Sequence, residues 1–144
     1  MNANDAQLTL LTTAYSNSTI ENTAPNAPDQ PGFDLVIEAV AGNVAGGSGA
    51  PYTLTVSAMD LTTVQSAPAL VPSIPPQYFN VATGWKPNGP DYEYRHKFSV
   101  TIPLTGGAGS PRQYVGHTLQ YVASLVNANG QIASIIESAP FVLV

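Results

Sequence analysis

The chain of 144 residues contains no cysteine. Disulfides, thiolate metal centres and a cysteine nucleophile are thereby excluded. Charge is scarce as well. Only 9% of residues are Asp, Glu, Lys or Arg, against about 25% in an ordinary domain. The surface must then be carried by Thr, Ser, Asn, Gln and Gly. The basic residues are Lys86, Arg95, Lys97 and Arg112, and the formal net charge is -5. So few cations argue against nucleic acid as a partner, because that binding rests on Lys and Arg neutralising phosphates. No apolar run is long enough to cross a bilayer, which argues against membrane insertion. The first residues, Met1 to Asp5, carry neither the basic cluster nor the apolar stretch of a secretory signal. The cytoplasm is the default expectation, with signal-independent export or a trimmed leader as the other routes.

The charges that do occur are segregated along the chain. Asp5, Glu21, Asp29, Asp34, Glu38 and Asp60 all precede Lys86, and no base does. Strands drawn from both regions are expected to mix these signs in space. If they did not, the folded domain would be two-faced, which favours head-to-tail association.

What the chain has in quantity is punctuation. Thirteen prolines and twelve glycines interrupt it every few residues, and the segments between them alternate with period two. That is the pattern of half-buried strands. The expectation is one all-β domain over residues 1–144, a two-sheet antiparallel sandwich of about seven or eight strands, immunoglobulin-like or Greek-key. Strands are predicted over Gln7 to Tyr15, Phe33 to Val40, Tyr52 to Leu61, Asp91 to Pro103, Tyr114 to Val126 and Gln131 to Val144, the last kinked near Pro140. In the first, Leu8, Leu10 and Thr12 share one face and Leu11, Thr13 and Tyr15 the other. In the second, Phe33, Leu35, Ile37 and Ala39 point inward. Ser16 to Gly32 reads as a long connection, Gly42 to Pro51 as a flexible loop, and Leu104 to Pro111 as a Gly-rich turn. Asn127 to Gly130 reads as a hairpin turn. Thr62 to Pro90 is proline-rich, with a short edge strand over Gln77 to Thr83.

The second half of the chain resembles fibronectin type III and related immunoglobulin-like modules. The resemblance lies in Leu119-x-Tyr121, the Asn-Gly hairpin, and the final strand ending Ser138-Ala139-Pro140-Phe141-Val142. It implies that Tyr121 is a corner tyrosine, its hydroxyl bonded back to nearby backbone. The antibody-type Cys pair is missing, and Trp85 falls in a loop region rather than on a core strand. The likeness is one of fold, not of function.

Chemistry has few places to reside. The glycines of Gly46-Gly47-Ser48-Gly49 lack the Gly-Lys-Ser/Thr ending of a phosphate loop. No Gly-x-Ser-x-Gly elbow occurs, and no ligand spacing places a metal. His96 lies on an apolar strand face and reads as a hydrogen-bonded core or boundary residue; His117 reads as surface. Asp91 and Glu93 read as solvated charges near Arg95 and Lys97. The most suggestive segment is Gln77 to Tyr94, where Tyr78, Trp85, Asn88, Asp91 and Tyr92 are the candidate ligand- or partner-binding residues. Aromatics beside amides suit stacking on a sugar ring, and they suit a protein interface. The structural alternative is that Trp85 folds back over the open end of the sandwich.

These observations point to a non-enzymatic structural or interaction module that needs no cofactor and self-associates into a homo-oligomer or larger assembly. Low charge means little repulsion between copies, and few lysines guard the candidate edges. The alternative is a carbohydrate-binding or adhesin-like domain with a glycan or protein partner at Trp85. A hydrolase would need a nucleophile within hydrogen-bond reach of His96 or His117.

Overall fold

Alternation decides where the strands form, and Pro51–Asp60 shows it most plainly. Tyr52, Leu54, Val56 and Ala58 are buried, while Thr53, Thr55 and Ser57 are exposed, as predicted. Thr on the solvent face suits the pleat because its branched β-carbon fits an extended backbone. The coordinates are a computed structural model that describes residues 1–27, 30–103, 106 and 109–144. Pro28 and Asp29, in the predicted long connection, lie outside the described residues. So do Leu104, Thr105, Gly107 and Ala108 of the predicted Gly-rich turn.

In chain order the strands are β1 (Ala6–Ala14), β2 (Gly32–Ala41), β3 (Pro51–Asp60), β4 (Gln65–Ser66), β5 (Gln77–Tyr78), β6 (Trp85–Asn88), β7 (Asp91–Thr101), β8 (Thr118–Asn127), β9 (Ile132–Glu137) and β10 (Phe141–Val142). They form two antiparallel sheets. One has the order β1-β2-β7-β6; the other has β10-β8-β3-β4, with β5 also on β3 and β9 also on β8. β9 and β10 are two pieces of one strand parted near Pro140, the predicted kink. The Asn127 to Gly130 turn joins β8 to β9, with Gly130 at φ 85°.

Several expectations are corrected. In β1 the register shifts between Leu8 and Leu10, so a bulge at Thr9 resets the faces. Leu8 and Leu11 are both buried, and Leu10 stands opposite Glu38 on the outer face. The glycine-rich loop holds one helical turn, α1 (Asn43–Gly46), and Gly46 has no side chain because the Tyr92 ring lies there; a β-carbon would fall 2.5 Å from Tyr92 Cβ. β8 starts at Thr118, because Pro111–Tyr114 forms a 3-10 turn instead. The edge strand predicted over Gln77 to Thr83 is only two residues long, and Val81–Thr83 is another 3-10 turn capped by Asn80.

The core is lined by Phe33, Leu35 and Ile37 of β2, by the inward residues of β3, and by Leu119, Tyr121, Ala123 and Leu125 of β8. Each large side chain moved out of water contributes about 1.5–3 kcal/mol. The two sides of the sandwich are closed differently. On one, β1 meets β9, and Leu8 N–H donates to Ser134 Oγ at 3.0 Å. On the other, the proline-rich crossing between β4 and β5 inserts Ala67, Leu70 and Pro72. Tyr121 Oη donates to the Leu70 carbonyl at 2.6 Å. That partner lies 51 residues away rather than in adjacent backbone, so Tyr121 is a core strut and not a local corner. Acidic and basic regions of the sequence do mix: Glu38 of β2 pairs with Arg95 of β7.

Candidate functional site

The aromatic segment is built around a hairpin. Asn88 stands opposite Asp91, leaving Gly89 and Pro90 as a two-residue turn with Gly89 at φ 62°. Glycine at the first central position is what such a hairpin turn asks for. The turn folds Trp85 to Asn88 back along β7, so Trp85 lies in a strand opposite Tyr94, not in a loop.

Trp85 is 1% exposed and faces the core. Its indole Nε1–H donates to Tyr52 Oη at 3.0 Å. Tyr52 and Tyr94 in turn donate to Gln77 Oε1, each at 3.3 Å, and Gln77 Nε2 donates to the Pro75 carbonyl at 2.9 Å. Tyr52 meets the indole edge-on at 83°, and the rings of Phe79 and Tyr94 lie 5.2 and 5.3 Å from it. Burial pushes the Tyr52 hydroxyl up to about 12, against a smaller opposing effect of the Trp85 bond. Burial raises Tyr94 as well, and the neighbouring Tyr52 adds to it. This is a satisfied polar network inside an aromatic cluster, and such networks fix one arrangement of the core.

The five candidate residues do not converge. Trp85 points inward, while Tyr78 is 41% exposed. Asn88 is exposed and donates from Nδ2 to Glu93 Oε2 at 3.1 Å. Asp91 stands across the turn from it, and Tyr92 covers α1. Glu93 also faces Lys86 at 3.8 Å. Among the described residues no side-chain bond or ring contact links Tyr78 to Asn88, Asp91 or Tyr92.

His96 is exposed rather than part of the core, although its position on β7 is an inner one. Its ring lies 6.3 Å from that of Tyr94 and 4.5 Å from that of Phe98. Desolvation by these neighbours lowers its basicity.

Sequence reasoning missed the pairing of His117 with Asp60. His117 Nδ1 lies 2.7 Å from Asp60 Oδ2, and Asp60 is buried at the end of β3. Thr63 Oγ1 donates to the same carboxylate at 2.8 Å, and Thr62 and Thr63 add backbone N–H groups. Desolvation raises the carboxyl, but the bonds from His117, Thr63 and Thr62 outweigh it and hold it below the usual range. A neutral His117 donates through Nδ1 and leaves Nε2 as an acceptor. That is the acid–imidazole half of a nucleophilic triad. Among the described residues no hydroxyl bonds His117, and no three His, Asp or Glu residues are placed to hold a metal. The pair fastens a turn: Thr62 Oγ1 accepts from Thr118 N, and Leu61 N donates to the Thr118 carbonyl. The two residues lie 57 positions apart, so no local spacing announces them.

The surface offers more than any cleft. On the outer face of the second sheet, Thr53, Val126 and Ile132 form one row and Thr55, Ser124 and Ile135 the next. Ile132 and Ile135 are 63% and 60% exposed, and Glu137 is the one charged residue of β3, β8 and β9 on this face. Among the described residues, the middle of β3 between β4 and β5, and the run of β7 beyond β6, also pair with a strand on one side alone. No family model, curated protein or solved structure matches the chain, so these surfaces and the fold are the grounds for a functional reading.

Proposed function

We propose that this domain is a non-enzymatic structural or interaction module that associates with copies of itself. The observation that carries the reading is the unpartnered run of β7. Beyond Tyr94, residues 95–101 pair with β2 on one side and, among the described residues, with no strand on the other. Free backbone donors and acceptors on an edge are a template for another strand. The low charge of the chain supports the same reading, since copies repel little, while Arg95 and Lys97 on this run restrict the registers in which a second strand can pair. A sugar-binding role has less support, because the Trp85 ring that would stack on the sugar is enclosed.

The strand order supports a finer reading of the fold as immunoglobulin-like. β1-β2-β7-β6 follows the A-B-E-D order of such domains, and β8 between β3 and β9 follows C-F-G. The test of function is the mass in solution across a concentration series, by light scattering behind a sizing column. The expected result is a mass that climbs above the 15.0 kDa of one chain. A value of 15.0 kDa at every concentration overturns the self-association reading.

A further inference from the structure

The two open edges are not equally available. The proline-rich crossing crowds the open middle of β3 at both ends: Ile74, Pro75 and Pro76 wall a groove beside Thr53 and Leu54, and Ala67 N donates to the Ala58 carbonyl. β7 has no such cover. From His96 to Val100 its far side has no strand, and none of its backbone groups bonds to a loop among the described residues. No proline falls between Asp91 and Ile102 to interrupt it. In an antiparallel pair every second residue turns both N–H and C=O toward the neighbour, so this run offers complete backbone pairs.

We propose that His96 to Val100 of β7 is the contact through which a second copy adds its own β7, antiparallel, across a two-fold axis normal to the sheet. The proposal rests on the self-association reading and names its surface. An isologous contact of this kind joins two four-stranded sheets into one continuous sheet.

Charge and length together choose the register. Such an axis keeps inner faces with inner faces, so a residue can oppose only one of the same parity. Centring on His96 sets Arg95 against Lys97, and centring on Lys97 sets it against itself. Like charges directly opposite are destabilising. Centring on Phe98 sets Lys97 against Ser99 and His96 against Val100, and it alone fills the open run completely. The same register brings Lys97 toward negative charge. Lys86 pairs with Glu93 and Arg95 with Glu38, but Lys97 has no acidic partner among the described residues. Ser99 stands beside Asp34 in its own sheet, with Ser99 Oγ 3.5 Å from Asp34 Oδ1. Lys97 of one copy therefore enters the row that holds Asp34 of the other. Two strand spacings separate them, about 10 Å between backbones. Asp34 is buried and its Oδ2 accepts from Asn17 N at 2.7 Å, so the attraction acts at a distance and not as a contact ion pair. A five-residue pairing buries less than the roughly 1,200 Å² of a standard interface, so the dimer forms at high concentration and dissociates on dilution.

The test compares wild type, Ser99→Lys and Ile135→Lys by sedimentation or light scattering over one concentration series. Both substituted positions are exposed, and thermal melts confirm that the variants fold. Ser99→Lys puts a lysine against Lys97 twice per dimer and should weaken association about tenfold. Ile135→Lys, on the other sheet, should leave it unchanged. If Ile135→Lys abolishes association and Ser99→Lys does not, the β7 contact is overturned while the self-association reading stands. If wild type never exceeds one chain in mass, both fall. The register has its own readout, because the chain has no thiol of its own. Oxidising a mixture of Lys97→Cys and Ser99→Cys should give a disulfide heterodimer, since directly opposed residues lie within the 4.4–6.8 Å that a disulfide tolerates. Absence of that cross-link at concentrations where wild type is dimeric overturns the Phe98-centred pairing.

Discussion

The two ends of the sandwich hold aromatic clusters built on different plans. At one end Tyr52, Phe79, Trp85 and Tyr94 surround Gln77, and their polar atoms bond to one another. At the other end Tyr121 and Phe141 stack on each other and Phe33 lies tilted against both, with one hydroxyl that leaves the cluster to reach Leu70. Both ends are tied to the proline-rich crossing: the first at Pro75, the second at Leu70. An irregular segment of this kind cannot be held by a strand ladder. It is held by side chains of the regular strands, which satisfy its carbonyls. The first end uses a network in which each member orients the next. The second uses a single strut.

The largest break in this comparison is Trp85→Ala. It removes the centre of the networked end and should cost about 3–5 kcal/mol, read as a lower denaturant midpoint. Gln77→Leu keeps the volume but strips both tyrosine hydroxyls of their acceptor; a loss of about 2–3 kcal/mol by the same measurement is expected. Alkaline titration sharpens the contrast. Tyr52, Tyr94 and Tyr121 are all raised by burial from 10.0. Their contribution is fully present below pH 10, where the unfolded chain keeps its phenols neutral, and is lost as pH rises toward the folded values. Each should steepen the fall in stability by up to about 1.4 kcal/mol per pH unit. The phenolate absorbance of these three tyrosines should therefore appear together with unfolding, not before it. Tyr121→Phe is the smallest break, about 1 kcal/mol at neutral pH, because one buried carbonyl loses one donor. It should also flatten the alkaline slope by one tyrosine, leaving that of the networked end.

Legibility in the sequence followed regularity. β3 and β8 were readable because one face is buried and the residues alternate without interruption. In β2 the inward phase was readable, but Asp34 and Val36 of the opposite face are buried as well. β1 misled at one point, since a bulge at Thr9 is invisible in a run of Leu and Thr that looks equally good in either phase. Trp85 was misplaced because β6 is four residues long, contains Pro87 and ends in turn residues, so composition speaks for a loop. The hairpin turn at Gly89-Pro90 was the available clue. Asp60 and His117 had no clue at all, because the end of β3 and the approach to β8 meet only once the sheet is paired. His96 held the right face, but it lies beyond the residues that β6 pairs with and is exposed, and periodicity carries no information about what covers a face.

The contact of β1 with β9 bears on how the chain is made. Leu8 and Ser134 are 126 residues apart, and Asn26, fully buried, clamps both backbone groups of Val144 at 118 residues' distance. The β6–β7 and β8–β9 hairpins close locally, whereas these contacts join nearly the whole length of the chain and are slow to form. Within the chain β1 precedes β9, so its outer edge stands without this contact until residues 132–137 have been made and have folded onto it. Until then that edge is a bare row of backbone donors and acceptors, and it is open to pairing with the wrong neighbour.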